Sequence, residues 1–267
     1  MDSLDVSRDF RALNRLRCRV NVVRGWTDPQ AVRLCARPAS GPRPARVRYC
    51  DVVSEPRDLP VCIIGDSFVA GYGDETGRGW TALLVEAAAR EDLHLHVTNA
   101  GIGGDTSEMI LARWDEVDRR RAAFPTTAVI AEFGVNDVMH VAGAEPGVEV
   151  ERVDETGTVA ALRGMIARAP EGRFLVVGPP PVLWDEVNER TMARAEAIAS
   201  VCAEEEVPFV PTFDALRAGG AWMREVAAGD GAHPGPGGYE QFMAMVARPV
   251  LDWLHALPDV EPGWAPS

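Results

Sequence analysis

The sequence predicts an α/β protein in which a parallel sheet of five strands is packed between helices. Two observations lead to this prediction: five short apolar segments occur after residue 59, and amphipathic stretches of helical length separate them. Strands connected by helices of this length run parallel and are covered on both faces. The chain has 267 residues, 46% of them hydrophobic, which is enough for one main domain with a buried core.

Residues 1–57 form a segment of different character before this pattern begins. Apolar and polar residues alternate at 18–22, 32–34 and 47–49, and Pro/Gly-rich stretches separate these runs. Such alternation predicts a small β-rich appendage. We therefore expect an N-terminal extension over 1–57, a main domain over 58–258 and a C-terminal tail over 259–267.

The main domain is expected to alternate strands and helices to its end. Short apolar runs bounded by Gly, Pro or Asn predict buried strands, and apolar residues at helical spacing predict the helices. The strands are expected at 61–64, 95–99, 127–133, 174–178 and 208–210, and the helices near 79–91, 106–123, 151–169, 185–206 and 237–257. Ligands of such sheets bind at the carboxyl ends of the strands.

Charge and cysteine content narrow the class of partner. Residues 1–57 hold 12 Arg against 6 acidic residues, whereas the rest of the chain holds 15 Arg against 34. An acidic body argues against nucleic acid as a partner, because phosphate neutralisation needs a basic face. No apolar run is long enough to span a membrane. The five cysteines are odd in number and lack Cys-x-x-Cys spacing, so they indicate neither a disulfide framework nor a zinc site. We expect a soluble cytoplasmic protein without cofactor or metal, whose oligomeric state the sequence leaves open.

One hydroxyl and one Asp-x-x-His pair carry the chemistry that the sequence predicts. Ser67 follows the first strand in Gly65-Asp66-Ser67, and Asp230-Gly231-Ala232-His233 precedes the last helix. An imidazole that takes the serine proton, oriented by a carboxylate, makes a serine nucleophilic. Ser67 could equally be part of a helix cap, and His233 a polar residue at a helix start.

Three groups could stabilise the negative charge that such a reaction develops. The backbone N–H of Ser67, the backbone N–H of Gly104 and the side-chain amide of Asn136 all follow strand ends. Gly104 could instead serve a tight turn, and Asn136 an Asx-turn. Gly103 is an alternative to Gly104 as the second donor.

Four blocks, in order, resemble the SGNH (GDSL-type) hydrolase family. They are Gly65-Asp66-Ser67-Phe68, Gly104-Asp105-Thr106, Gly134-Val135-Asn136-Asp137 and Asp230-Gly231-Ala232-His233-Pro234. The motifs are most similar to those of the thioesterase I/lysophospholipase-like esterases. Val69 stands where the Gly-x-Ser-x-Gly nucleophile elbow has its second Gly, which disfavours the ordinary α/β-hydrolase fold.

The resemblance implies a three-layer α/β/α flavodoxin-like fold and a metal-free serine hydrolase. It implies Ser67 as nucleophile, His233 as base and Asp230 as its orienter, with Ser67, Gly104 and Asn136 forming the oxyanion hole. The expected activity is hydrolysis of a small-molecule carboxylic ester or thioester through an acyl-enzyme on Ser67. Transfer of the acyl group to an alcohol or sugar, or a noncatalytic binding module, are the alternatives.

Overall fold

The computed structural model describes residues 57–143 and 148–258. Within these residues, five strands form one sheet: β1 (Arg57–Gly65), β2 (Leu93–Gly101), β3 (Ala128–Glu132), β6 (Phe174–Val177) and β7 (Phe209–Val210). Two further short strands, β4 (His140–Ala142) and β5 (Glu149–Glu151), form a separate antiparallel hairpin. The helices are α1 (Ser67–Ala70), α2 (Gly79–Ala89), α3 (Ser107–Ala112), α4 (Asp115–Ala123), α5 (Glu155–Arg168), α6 (Asp185–Glu204), α7 (Phe213–Arg217), α8 (Ala221–Ala228) and α9 (Pro236–Ala256).

The main sheet is parallel throughout and has the strand order β2-β1-β3-β6-β7. This is the order of flavodoxin-like sheets, in which the chain reverses its winding between the first and third strands. Gly65 pairs with Gly101 on one side and with Glu132 on the other, so these three strand ends lie level. The predicted five-stranded parallel sheet is confirmed.

Helices cover both faces of the sheet and give three layers. On β1, Val61 and Ile63 face one core cluster while Cys62 and Ile64 face the other, which explains the uninterrupted apolar run of this strand. Helices α2, α8 and α9 supply the first cluster, and α3 to α6 supply the second. Each fully buried Leu, Ile or Phe contributes about 1.5–3 kcal/mol, so the two clusters hold the layers together.

Several predicted boundaries are wrong in detail. The helix expected over 106–123 is two helices, α3 and α4, because the chain turns at Arg113 and Trp114; Trp114 then enters the core while Arg113 reaches back to the sheet. Helices α7 and α8 and the β4–β5 hairpin were not predicted, since each is too short for a clear periodicity. Strand β1 begins at Arg57, four residues earlier than expected.

The predicted β-rich appendage and the C-terminal tail lie outside the described residues. So do Cys18, Cys35 and Cys50, whereas Cys62 and Cys202 are buried free thiols, as expected. Burial raises the pKa of Cys62 to about 11 and that of Cys202 to about 12, so both stay protonated and unreactive. In the described part of the chain, no helix is long and apolar enough to cross a membrane.

Candidate active site

Ser67 lies at the turn between β1 and the short helix α1. Asp66 caps this helix, because its carboxylate Oδ1 accepts a hydrogen bond from the backbone N–H of Phe68 at 2.9 Å. Ser67 is only 5% exposed, and its backbone N–H donates to no acceptor among the described residues. Its hydroxyl and its N–H are therefore both available at the carboxyl end of β1.

The loop between α8 and α9 brings Asp230 and His233 to Ser67. His233 Nε2 is 2.7 Å from Ser67 Oγ, and His233 Nδ1 is 2.7 Å from Asp230 Oδ2. The other carboxylate oxygen of Asp230 accepts the backbone N–H groups of Ala232 and His233, each at 2.8 Å. The structure thus joins the three residues that the sequence predicted as nucleophile, base and orienter.

Asp230 is held in its charged form. Partial burial opposes ionisation, but hydrogen bonds from the His233 backbone, the His233 ring and the Ala232 backbone outweigh it and lower the pKa of Asp230 to about 2. A carboxylate at Nδ1 fixes the proton on that nitrogen and leaves Nε2 free to accept one from Ser67.

Two aromatic rings pack against the imidazole of His233. The His233 ring centroid is 5.2 Å from that of Phe68 and 5.5 Å from that of Tyr72. Phe68 packs in turn on Trp222 of α8, 5.8 Å away, and the Trp222 indole N–H donates to Pro181 O. These contacts restrict rotation of the imidazole, which has to keep its Nε2 directed at Ser67.

The turn after β2 presents Gly104. The N–H of Asp105 donates to Ile102 O at 3.2 Å, and Gly104 has a φ of +83°, which is the third position of a type II turn and favours glycine. The backbone N–H of Gly104 has no acceptor among the described residues. Gly103, by contrast, packs against the Tyr72 ring. This geometry is consistent with Gly104 as the second oxyanion donor, which stays a prediction.

Arg113 ties this turn to the nucleophile turn. Its Nη2 donates to Gly65 O and to Ala100 O, both at 2.8 Å, and its Nε donates to Asp105 Oδ2 at 2.6 Å. One guanidinium therefore links the ends of β1 and β2 to the residue after Gly104. The Asp105 carboxylate accepts from Arg113, and it is the Thr106 side chain that caps α3.

Asn136 follows β3 and is held beside the nucleophile turn. Its Nδ2 donates to Asp66 Oδ2 at 3.0 Å, and its Oδ1 is 3.5 Å from Arg152 Nη1. An amide nitrogen carries two hydrogens, so one remains for a ligand. The adjacent Asp137 accepts the N–H of Ser107 at 2.8 Å, which fixes this loop to the start of α3.

Two fully buried carboxyl groups lie beneath the site. Burial raises the pKa of Asp66 to about 7, against the opposing hydrogen bonds from Phe68 and Asn136. Neither oxygen of Glu132 has a hydrogen-bond partner among the described residues, and burial, followed by the charge of Asp66, holds the pKa of Glu132 well above its usual range. Burial thus favours the neutral form of Glu132, while Asp66, which accepts two hydrogen bonds, is the better placed of the two to ionise.

Sequence reasoning predicted five site residues but none of the side chains that contact them. Arg113, Arg152, Glu132 and Tyr72 all contact the site or lie directly beneath it. Glu132 could have been noticed in the sequence, because it is a charged residue at the end of an apolar strand, and charged residues are rarely buried without a reason. Among the described residues, no group of three or more His, Cys, Asp or Glu side chains could hold a metal ion.

The fold and the bonded Ser67, His233 and Asp230 side chains define the class of protein: an α/β serine hydrolase. The sequence model of the GDSL-like lipase/acylhydrolase family matches residues 63–241, which include all five site residues. The chain belongs to this family and is an ester hydrolase, which confirms the resemblance noted in the sequence.

Two relatives that are similar in sequence support this family assignment. The chain is 30% identical to Esterase TesA of Pseudomonas aeruginosa over 191 residues, which cover 71% of this chain and 82% of the relative. It is 28% identical to Thioesterase 1/protease 1/lysophospholipase L1 of Escherichia coli over 173 residues, which cover 64% of this chain and 74% of the relative.

Solved structures share the fold. A lipase/acylhydrolase from Enterococcus faecalis superposes with a TM-score of 0.59 at 22% identity, over 78% of this chain and 100% of that protein. An acetylxylan esterase from Geobacillus stearothermophilus gives a TM-score of 0.58 at 21% identity, over 75% and 96% of the two chains.

Proposed function

We propose that the protein hydrolyses a small-molecule carboxylic ester or thioester through an acyl-enzyme on Ser67. The observation that carries this proposal is the pair of 2.7 Å contacts that run from Asp230 through His233 to Ser67 Oγ. The named esterase and thioesterase relatives support both ester types.

The first half of the proposed reaction forms the acyl-enzyme. Ser67 Oγ attacks the carbonyl carbon while His233 Nε2 accepts the hydroxyl proton. The oxyanion is bound by the N–H groups of Ser67 and Gly104 and by the Asn136 amide. Cleavage of the C–O or C–S bond then releases the alcohol or thiol, which takes the proton from His233.

The second half uses water as the nucleophile. His233 accepts a proton from the water that attacks the acyl-enzyme, and it returns that proton to Ser67 Oγ as the acid leaves. The same step with an alcohol or sugar in place of water would give acyl transfer, which is the alternative activity.

Labelling with a fluorophosphonate tests the nucleophile. We expect one covalent adduct, on Ser67, by mass spectrometry, and Ser67→Ala should lose both the adduct and hydrolysis of 4-nitrophenyl acetate. Ser200→Ala is the matched control, because Ser200 is exposed on α6 and should leave both unchanged. Turnover retained in Ser67→Ala, or an adduct on another residue, would contradict the assignment.

The organisation and location of the protein complete the proposal. We assign the hydrolase domain to residues 58–258, flanked by an extension and a tail. We place the protein in the cytoplasm, because its cysteines do not predict the disulfide framework that is common in secreted domains. Fractionation of the source cells with antibody detection tests the location, and recovery in a membrane or secreted fraction would contradict it.

A further inference from the structure

Arg152 lies beside the amide that is predicted to bind the oxyanion. It follows β5, and its backbone N–H donates to Met139 O at 2.9 Å, which ties it to the loop after Asn136. Its Nη1 is 3.5 Å from Asn136 Oδ1, and its Nη2 is 3.8 Å from Met109 Sδ. The guanidinium is therefore at the edge of the site, on the side of Asn136 away from Asp66.

This guanidinium has no carboxylate within 4.0 Å among the residues that the structure describes. The nearby acidic groups are engaged elsewhere: Glu151 contacts Arg194 at 2.8 Å and Arg190 at 3.9 Å, and Asp154 accepts the N–H of Gly157. Glu108 and Glu149 border the same groove outside ion-pair distance of Arg152, and Glu149 is 3.5 Å from His140. Arg113, the other half-buried arginine at the site, contacts two carboxylates.

An arginine in this state is a binding group for an anion. It carries five N–H donors, and a long contact to an amide oxygen and one to a thioether leave most of them unused. Partial burial strengthens the attraction for a negative charge that reaches the groove, and the planar guanidinium can take a carboxylate or phosphate through two bonds.

We propose that Arg152 determines substrate specificity by binding a carboxylate or phosphate that the ester carries close to its scissile carbonyl. The inference rests on the proposed function, because it takes the oxyanion to bind at Asn136. Amide geometry and ordinary hydrogen-bond lengths place the guanidinium at most about 9 Å from that oxyanion. A half-ester of a four- or five-carbon dicarboxylic acid spans this distance.

Matched pairs of esters test the proposal. One pair places the charge on the acyl side: 4-nitrophenyl hydrogen glutarate and its methyl ester. The other places it on the leaving group: 4-carboxyphenyl acetate and its methyl ester. We expect a higher kcat/KM for the charged member of at least one pair, and the pair that shows it identifies the side of the carbonyl that faces Arg152.

Substitution of Arg152 should remove that preference. Arg152→Gln should lower the charged-to-neutral ratio of kcat/KM by about tenfold or more, the order expected for a lost hydrogen bond to a charged group. Arg152→Lys should retain part of the ratio. Arg119→Gln, an exposed change of equal charge on α4, should leave it unaltered. Glutarate should also inhibit wild-type hydrolysis of the neutral ester, and glutaramide should not, which is a readout independent of how the variants fold.

Two results would overturn the inference. Equal losses on both members of each pair in Arg152→Gln would mean that Arg152 only polarises Asn136. Absence of any charged preference in the wild-type protein, together with no inhibition by glutarate, would reject anion binding. Fluorophosphonate labelling of Ser67 stays positive in both cases. Failure of that labelling and of all four esters would instead reject the proposed function, and this inference with it.

Discussion

The side chain of Asn136 is held at both ends, which makes its role measurable. Asp66 accepts from its nitrogen and Arg152 approaches its oxygen, so the amide is fixed in one orientation and keeps one hydrogen for the oxyanion. We expect Asn136→Ala to lower kcat by about 10²–10³-fold, the effect of removing one oxyanion donor. Steady-state kinetics with a neutral ester measures it, and a change confined to KM would contradict the role.

Glu132 links stability to pH. A carboxyl group whose pKa is raised in the folded protein favours folding below its unfolded pKa, near 4.5, and that contribution is lost as pH rises toward the folded value. Wild-type stability should therefore fall relative to that of Glu132→Gln from about pH 5 upward, because Gln cannot ionise. Urea unfolding of both proteins between pH 5 and 9 measures the difference, and parallel curves would show that the pKa of Glu132 is the same in the folded and the unfolded protein.

Residue identity determines which parts of the site were predictable. Ser67, Asp230, His233, Gly104 and Asn136 stand at strand ends or in a Gly/Pro-rich loop, which are the positions where parallel sheets bind their ligands. Arg113 and Arg152 are two of 27 arginines, and nothing in their local sequence separates an arginine that reaches the site from one on the surface. Their roles depend on contacts between distant parts of the chain, which sequence patterns do not contain.

The turn after α1 supports the base. Gly73 has a φ of +84°, and a Cβ there would lie 2.4 Å from Pro234 O and 2.8 Å from His233 Cβ. Gly73→Ala should displace His233 and lower kcat/KM by about 10²-fold, since small displacements of a catalytic group have effects of this order. Ester hydrolysis measures the loss.

Gly77→Ala is the matched control for this change. Gly77 has a φ of +71°, so both variants carry a similar backbone penalty of about 1–2 kcal/mol, but no atom of the residues that the structure describes lies within 4 Å of a Cβ at Gly77. It should therefore lose thermal stability without losing kcat/KM. Equal kinetic losses in the two variants would show that strain, and not contact with His233, is responsible.

The secondary-structure elements were predictable where their patterns are long. All five strands of the main sheet were found: β1, β3 and β6 are almost entirely apolar, and β2 alternates buried apolar residues with exposed histidines. The break between α3 and α4 was missed because its cause is tertiary: Arg113 leaves the helix to bond with Gly65 and Ala100. The five-residue α7 and the three-residue strands β4 and β5 hold too few residues to show a period.

Residues 57–258 should fold and keep a reactive Ser67 without the N-terminal extension. Both core clusters lie within residues 57–258, and Arg57 is anchored through hydrogen bonds to Leu254 O and Leu257 O. A chain of residues 57–258 should therefore fold cooperatively and keep fluorophosphonate labelling of Ser67. Thermal unfolding and labelling test this, and size-exclusion chromatography beside the full chain shows whether the extension sets the oligomeric state. Loss of folding in the shortened chain would contradict the proposed domain limits.

Asp230 and His233 are close in sequence, so their mutual geometry depends little on the rest of the fold. Orienter and base come from one four-residue loop, whose internal bonds to Ala232 and His233 set their mutual geometry locally. Within the set of Ser67, His233 and Asp230, the tertiary structure then has to set the distance between His233 Nε2 and Ser67 Oγ, across 166 residues of chain. A motion that separated His233 Nε2 from Ser67 Oγ would stop hydrolysis but leave the Asp230–His233 hydrogen bond intact. Activity could therefore be lost and regained without breaking that hydrogen bond.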